Sequence, residues 1–468
     1  MKKLDRIIDS VRLIWKDKTN IDSPQHFSKY ILAINNKRYL ASAARFGTPQ
    51  YILDADSLAS RAAFFTGTFK KNIPNSEFFY AMKCNDLPFI VKTLKNNGFN
   101  ADAAGLFELK LALKLGFKKI IFTSPGKDDE EIKLALKHSS KIIMNIDNLD
   151  EISMIIEVMS EIKFRRRLKI SFRVNPDTSI TKAWSKYGMT LKQLPKAIKK
   201  IRNDKRFRLS GLHFHTSWNR TPDRQVKKIK ILGKFLAENF RSETRRLEFM
   251  DIGGGFFPED TAVLNKFSFK GDLVRLLEEW HADDDTLPNI QFKNHSFSVR
   301  TVDPLEKFSE SISDALQKYI FPLNKKIKIF FEPGRFMVTH STSILTKVIA
   351  EKNGSVIVDA GVNLTGDYRF EEFSFAPIIN LSRPSLKPNK KTIYGALCDP
   401  SDLWGYSYYG DSIKKGDYLL ILHQGAYTFS MSWRFIKPIA KYIALTGNKI
   451  IVAKEAESFR DRYSKCIF

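Results

Sequence analysis

Eight short apolar runs alternate with helical patterns between residues 78 and about 335. In order they are "FFYAM", "FNADA", "KIIFT", "KIIMNI", "LKISFRV", "LSGLHFH", "LEFMDIG" and "IKIFFEPG". The segments between them read as helices. "LFELKLALKLG" sets Leu106, Leu109 and Leu113 on one face, with Gly116 as a stop, and "DNLDEISMIIEVMSEI" opens on an Asp/Asn cap. Such alternation predicts an α/β chain closed as a parallel (β/α)8 barrel, with a doubly wound open sheet as the competing topology.

After about residue 340 the texture changes. "SILTKVIAEKNGSVIVDAG" and "DYLLILHQGAYTFSM" are strand-like, with turn residues between and little helical period. Three segments are therefore expected: an N-terminal piece over 1–50 packing on the β domain, a barrel over 51–340, and a second, mostly β domain over 341–468. A chain of 468 residues, 43% of them hydrophobic, is large enough for two domains. No apolar run is long enough to span a bilayer. "MKKLDRIIDSVRLIWKDK" is broken by charges and lacks the apolar stretch of a secretory signal. Cys84, Cys398 and Cys466 give no disulfide framework. The expectation is a cytoplasmic protein with no membrane partner. The formal charge of +26 raises the question of nucleic acid. The basic residues run along helical faces, as in "KAIKKIRNDKRFR", with no zinc-finger, RRM or homeodomain pattern. That predicts a lysine-rich solvated surface and no nucleic-acid partner.

Barrels of this kind carry their chemistry at the C-terminal ends of the strands. The first run ends in Lys83, the second at Asp102, the fifth with Arg173, and the sixth with His213 and His215. The seventh ends in Gly253, Gly254 and Gly255, and the eighth in Glu332, Gly334 and Arg335. A glycine triplet lets backbone N–H groups approach an anion, or simply makes a turn with positive φ. Its place in the loops after the last two strands, with Arg335 beside it, favours a phosphate. A lysine desolvated at a strand end, with its pKa lowered, is a nucleophilic amine that forms Schiff bases. A phosphorylated aldehyde, pyridoxal phosphate, suits both features. Glu332 then serves as the carboxylate against the pyridine nitrogen, or merely as a salt-bridge partner of Arg335. His215 suits stacking on a flat ring and His213 a structural role. No metal site is expected.

Together these residues resemble the fold-type III pyridoxal-phosphate-dependent decarboxylases, the diaminopimelate, ornithine and related enzymes. The resemblance runs from "TPQYILDADSL" to "HQGAY" and rests on "YAMKCN", "FRVNPD", "SKYGM", "GLHFH", "DIGGGFFP", "FEPGRFMV", "LCDPSD" and "GAY". It implies that Lys83 forms the Schiff base, that His215 stacks on the ring, and that Glu332 partners the ring nitrogen. It likewise implies a phosphate cradle of Gly253, Gly254, Gly255, Gly334 and Arg335, with Tyr427 reaching the phosphate and Asp102 and Arg173 in the cofactor site. Cys398 resembles the cysteine that returns a proton after CO2 leaves. Asp399 and Arg369 are implied at the distal end of the substrate, and Lys186 and Asp402 at a contact between two subunits. The implied protein is a homodimer with shared active sites acting on a diamino acid or a conjugated amino acid. A racemase on the same barrel and a non-catalytic homologue are the alternatives; Glu332 argues against the first, and Lys83, Cys398 and Glu332 against the second. The chain departs from the family at "HTSWNR", where Ser217 and Trp218 stand in place of a glycine and a serine.

Overall fold

The computed structural model describes residues 34, 36–176, 186–259, 262–263, 298–299, 302–366 and 376–467. All eight runs are strands: Ser76–Ala81, Asn100–Ala103, Ile120–Thr123, Ile142–Ile146, Leu168–Asn175, Phe207–His213, Phe249–Asp251 and Lys328–Phe331. Each pairs in parallel with the next, and the eighth returns to the first through Phe331↔Phe78. The sheet is thus a closed barrel and not an open one. Helices fill the crossovers, and Ala55–Asn72, which precedes the first strand, completes the ring between Leu305–Tyr319 and Pro88–Asn96. Asp54 caps that helix by accepting from the Ser57 N–H. Leu58, Ala62, Phe65 and Phe69 form its buried stripe, and the Phe69 ring meets Phe331 at 4.4 Å.

Alternation along the strands sorts the side chains. Phe79, Ile121, Ile143, Phe249 and Phe330 point inward and form their own buried cluster, with Phe249 stacked on Phe330 at 4.3 Å. Below them, Glu77 binds Lys119 and Lys328, and Glu248 binds Lys169. These pairs lie at the N-terminal end, opposite the C-terminal ends of the strands where the chemistry of such barrels is carried.

The second domain is built on the long strand Thr342–Lys352. Its first half pairs with Tyr418–Ile421 and its second half with Ser355–Val358, across a register shift between Val348 and Ala350. The hairpin between Thr342–Lys352 and Ser355–Val358 turns on Asn353 and Gly354, both at positive φ. Gln50–Asp54 inserts between Thr342–Lys352, antiparallel, and Lys441–Thr446, parallel. Residues 51–54, expected with the barrel, therefore belong to the β sheet: an apolar "YIL" suits either sheet, and its partners lie far along the chain. The helix Asn36–Phe46 sets Ala43 against a cluster that includes Ile52, Leu345, Ile443 and Leu445. Residues 1–33 lie outside the described residues. Among the described residues no helix is long and apolar enough to cross a membrane.

Candidate active site

A cavity of about 440 Å3 opens at the C-terminal end of the barrel, and Lys83, Arg173, His215, Gly255, Glu332, Gly334, Arg335 and Tyr427 all line it. Lys83 does not end the strand itself; it sits in the 3-10 turn Met82–Cys84 that follows. The turn is fastened from both domains. The Tyr80 hydroxyl donates to the Asn85 carbonyl at 2.8 Å, the Tyr427 N–H to the Cys84 carbonyl at 2.8 Å, and the Asn85 amide to the Gly425 carbonyl at 2.9 Å. Burial alone pushes the Lys83 pKa down, but Asp102, followed by Tyr427 and Glu332, outweighs it and holds the ammonium above the ordinary lysine range. The expected lowered pKa is thus reversed by the acidic neighbours that the strand ends bring in.

Glu332 is 2% exposed. Its Oε2 lies 3.2 Å from His213 Nε2 and 3.6 Å from His215 Nδ1, while its Oε1 has no hydrogen-bond partner. Burial pushes the carboxyl up, but the histidine contacts outweigh it and keep Glu332 below the usual carboxylate range. It makes no ion pair with Arg335, whose guanidinium lies over the Phe257 and Tyr427 rings at 5.2 and 5.1 Å. The Gly254 N–H donates to His215 Nδ1 at 3.2 Å, which leaves the proton of the neutral ring on Nε2. Burial lowers His215 to about 4 and lowers His213 as well, so both rings are neutral at pH 7. His213, His215 and Glu332 bring ligand atoms within 4.8 Å of one another. The Gly254 N–H occupies the Nδ1 lone pair that a cation would need.

Asp102 is buried at the end of the second strand, and neither of its oxygens has a hydrogen-bond partner. Burial, reinforced by Glu332, raises its carboxyl well above the usual range. Arg173 pairs with Asp147 at 3.2 Å and lies over the Tyr187 ring at 4.6 Å. Burial raises the Tyr427 phenol to about 12.

The glycine triplet is demanded by the chain itself. Gly253 and Gly255 have φ of +70° and +78°; a Cβ at Gly254 would lie 2.0 Å from the Glu332 carbonyl, and one at Gly255 2.0 Å from that of Thr216. Gly255 and Gly334 reach the cavity wall, whereas Gly253 and Gly254 pack behind it. The turn reading thus holds for the triplet, and an open cradle remains beside Arg335.

Other expected site residues lie elsewhere. Cys398 is exposed, and neither it nor Asp399 lines the cavity of its own chain. Asp399 accepts from the Ser401 N–H at 2.8 Å. Asp402, expected at a contact between subunits, is instead 2% exposed and accepts from the N–H groups of Val362 at 2.8 Å and Leu397 at 2.6 Å. One backbone donor from its own loop, Leu397, and one from the separate turn Val362–Leu364 hold it there, which corrects that expectation. Lys186 is exposed over the Tyr187 ring at 4.9 Å. Arg369 lies outside the described residues. The sequence reading missed Thr123, Tyr187 and Met431, which also line the cavity, as do Ser217 and Trp218 of "HTSWNR". Thr123 ends the third strand and was detectable there; Met431 comes from the second domain, and no local pattern marks it.

An unpartnered oxygen on a buried carboxylate calls for a cationic N–H, a neutral histidine beside it suits the face of a flat ring, and the glycine-and-arginine corner suits a phosphate. These residues fit pyridoxal phosphate. The family model for "Pyridoxal-dependent decarboxylase, pyridoxal binding domain" matches residues 65–339. The chain is 26% identical to a diaminopimelate decarboxylase of Aquifex aeolicus, over 89% of this chain and 91% of that one. It is 24% identical to an L-glutamyl-[BtrI acyl-carrier protein] decarboxylase of Niallia circulans, over 84% and 87%. Its fold matches a crystal structure of diaminopimelate decarboxylase from Helicobacter pylori complexed with L-lysine, with a TM-score of 0.72, 24% identity, and coverage of 90% of this chain and 98% of that one. With more than half of its length matched by the family model, the chain belongs to the pyridoxal-dependent decarboxylases.

Proposed function

We propose that this mouth decarboxylates an amino acid carrying a second polar group, either a diamino acid or an amino acid conjugated through its side chain. The observation that carries the reading is the buried, unpartnered Oε1 of Glu332 in the cavity that also holds Lys83. Bound pyridoxal phosphate supplies the electron sink that lets the bond from Cα to the carboxylate break. Lys83 would hold the cofactor covalently through its amine. Glu332 would favour a proton on the ring nitrogen, the state that suits decarboxylation rather than racemisation. His215, neutral and fixed by Gly254, would pack against the ring. Gly255, Gly334, Arg335 and Tyr427 take the phosphate, with Gly253 and Gly254 shaping that loop. Asp102 and Arg173 would border the ring, and Cys398 would return a proton to Cα.

The substrate class is supported by the relatives, whose names specify diaminopimelate and an L-glutamyl group on an acyl-carrier protein. Asp399 and Arg369 are the proposed distal contacts. Because Cys398 and Asp399 are absent from the cavity wall of their own chain, we assign them to the neighbour's site in a homodimer, with Lys186 at the contact. The lack of a disulfide framework suits work in the cytoplasm.

The test is covalent trapping together with CO2 release. Borohydride reduction of the loaded enzyme should fix the cofactor on the peptide containing Lys83, read by mass spectrometry, and Lys83→Ala should abolish it. Glu332→Gln should keep the cofactor and lose at least about a hundredfold in CO2 release from a panel of diamino and conjugated amino acids. Trapping on another lysine, or wild-type turnover by Glu332→Gln, would overturn the assignment.

A further inference from the structure

The mouth accounts for little of the +26 formal charge. In the sequence the basic residues are spread over many segments; in the fold many of them collect. Every loop leading into a strand of a parallel barrel lies at the end opposite the mouth. The loops leading into strands three to eight carry Lys118, Lys141, Arg166, Lys205, Arg246 and Lys326, one from each, and all are exposed. None of the six forms an ion pair among the described residues. The Arg165–Arg167 run and the pairs Arg245-Arg246 and Lys325-Lys326 deepen the cluster.

Most carboxylates at this end are already engaged, although Glu238, exposed in the last turn of Asp223–Asn239, makes no ion pair among the described residues. Glu77 holds Lys119 and Lys328, Glu248 holds Lys169 and Arg208, Asp204 holds Arg206, and Glu243 lies 3.8 Å from Arg202. The field is felt locally: burial, and then Lys137, Lys141 and Arg166, push the His138 pKa below the usual imidazole value. Complementing the helix dipole explains lysines such as Lys114 and Lys137 in last helical turns, but that effect falls off within the turn and does not reach the loop residues beyond. Solubility is served by interspersed signs, not by one sign gathered on a face.

We propose that this end of the barrel docks the phosphate backbone of a nucleic-acid duplex without reading its sequence. This reverses the expectation drawn from the sequence alone, where the same residues looked dispersed. Five of the seven residues in the Arg165–Arg167 run and the Arg245-Arg246 and Lys325-Lys326 pairs are arginines, whose planar fork suits phosphate oxygens. Among the described residues, Ile162 is the one large exposed apolar side chain at this end. The face therefore lacks both the apolar anchors that a lipid surface rewards and the exposed aromatics that stack on single-stranded bases. A duplex bound here leaves the mouth open.

The experiment is fluorescence anisotropy of a fluorescein-labelled DNA duplex of about 20 base pairs, titrated with the cofactor-loaded full chain over a sodium chloride series. Two duplexes of different sequence should bind equally, with log affinity falling linearly with log salt. Replacing Arg165, Arg166, Arg245 and Arg246 by serine should weaken binding at least ~10-fold at low salt and flatten the slope by up to about 3. Lys325→Ser with Lys326→Ser, in a separate loop, should shift both in the same direction. Lys414→Ser with Lys415→Ser, exposed in the second domain, should change affinity by less than about twofold. All variants should keep the wild-type rate of CO2 release, which separates this surface from the mouth. The proposal fails if no anisotropy change occurs at low salt. It fails equally if the folded loop variants bind like wild type, or if phosphatidylserine vesicles retain the protein while the duplex does not.

Discussion

Burial raises the Glu108 carboxyl to about 7 beside the cavity, even though it accepts from the Ala104 N–H at 2.7 Å. Below pH 4.5 the group is protonated in both the folded and the unfolded chain and has no effect on stability. Between 4.5 and 7 only the unfolded chain releases the proton, so stability falls as pH rises; above 7 the loss is complete, on the order of 3 kcal/mol. Glutamine mimics the protonated form. Glu108→Gln should therefore melt above wild type at pH 8 and close to it at pH 4, and an equal gain at both values would rule out the titration as its source. Strand ends were the legible part of this neighbourhood: Lys83, His215 and Glu332 could be nominated because each closes an apolar run. The charge states were not legible. Lys83 reads as a depressed lysine until Asp102 and Glu332 are seen around it, and Asp402 reads as a surface acid until two backbone N–H groups are found on it.

The 3-10 turn after the first strand is the element on which both domains converge. Asn85 is fully buried and donates to the Gly425 carbonyl and the Tyr442 hydroxyl, while its own Oδ1 accepts from the Leu87 N–H. Asn85→Ala leaves those partners unsatisfied, which costs about 1–3 kcal/mol. It also loosens the loop that carries Tyr427. The expected result is a lower denaturant midpoint together with faster loss of bound cofactor on dilution, followed by absorbance. A midpoint that falls while the cofactor stays bound as in wild type would limit Asn85 to a structural part. The eight barrel strands were readable because parallel strands covered on both faces are nearly continuous apolar runs. The sheet of the second domain was readable only as strand-like texture, since register with distant partners leaves no local mark.

At the scale of the molecule, the proposed site calls on a residue that the chain's own cavity does not present. Cys398 is exposed and absent from the cavity wall, so the decisive measurement mixes two inactive partners. A Lys83→Ala chain and a Cys398→Ala chain, allowed to exchange subunits, should regain up to about a quarter of wild-type CO2 release if exchange is random and sites are independent. No recovery despite demonstrated exchange would show that each site is built within one chain.

The seating of Gln50–Asp54 between Thr342–Lys352 and Lys441–Thr446 governs the order in which a ribosome can deliver the fold. The barrel has all its strands once Phe331 emerges, whereas Gln50–Asp54 waits with both edges bare until its neighbours are synthesised. Leu53 then faces Thr342, so the barrel leaves and rejoins the sheet at adjacent points. A nascent chain stalled between those events carries a finished barrel and an unpaired apolar strand, the combination most exposed to edge-to-edge aggregation.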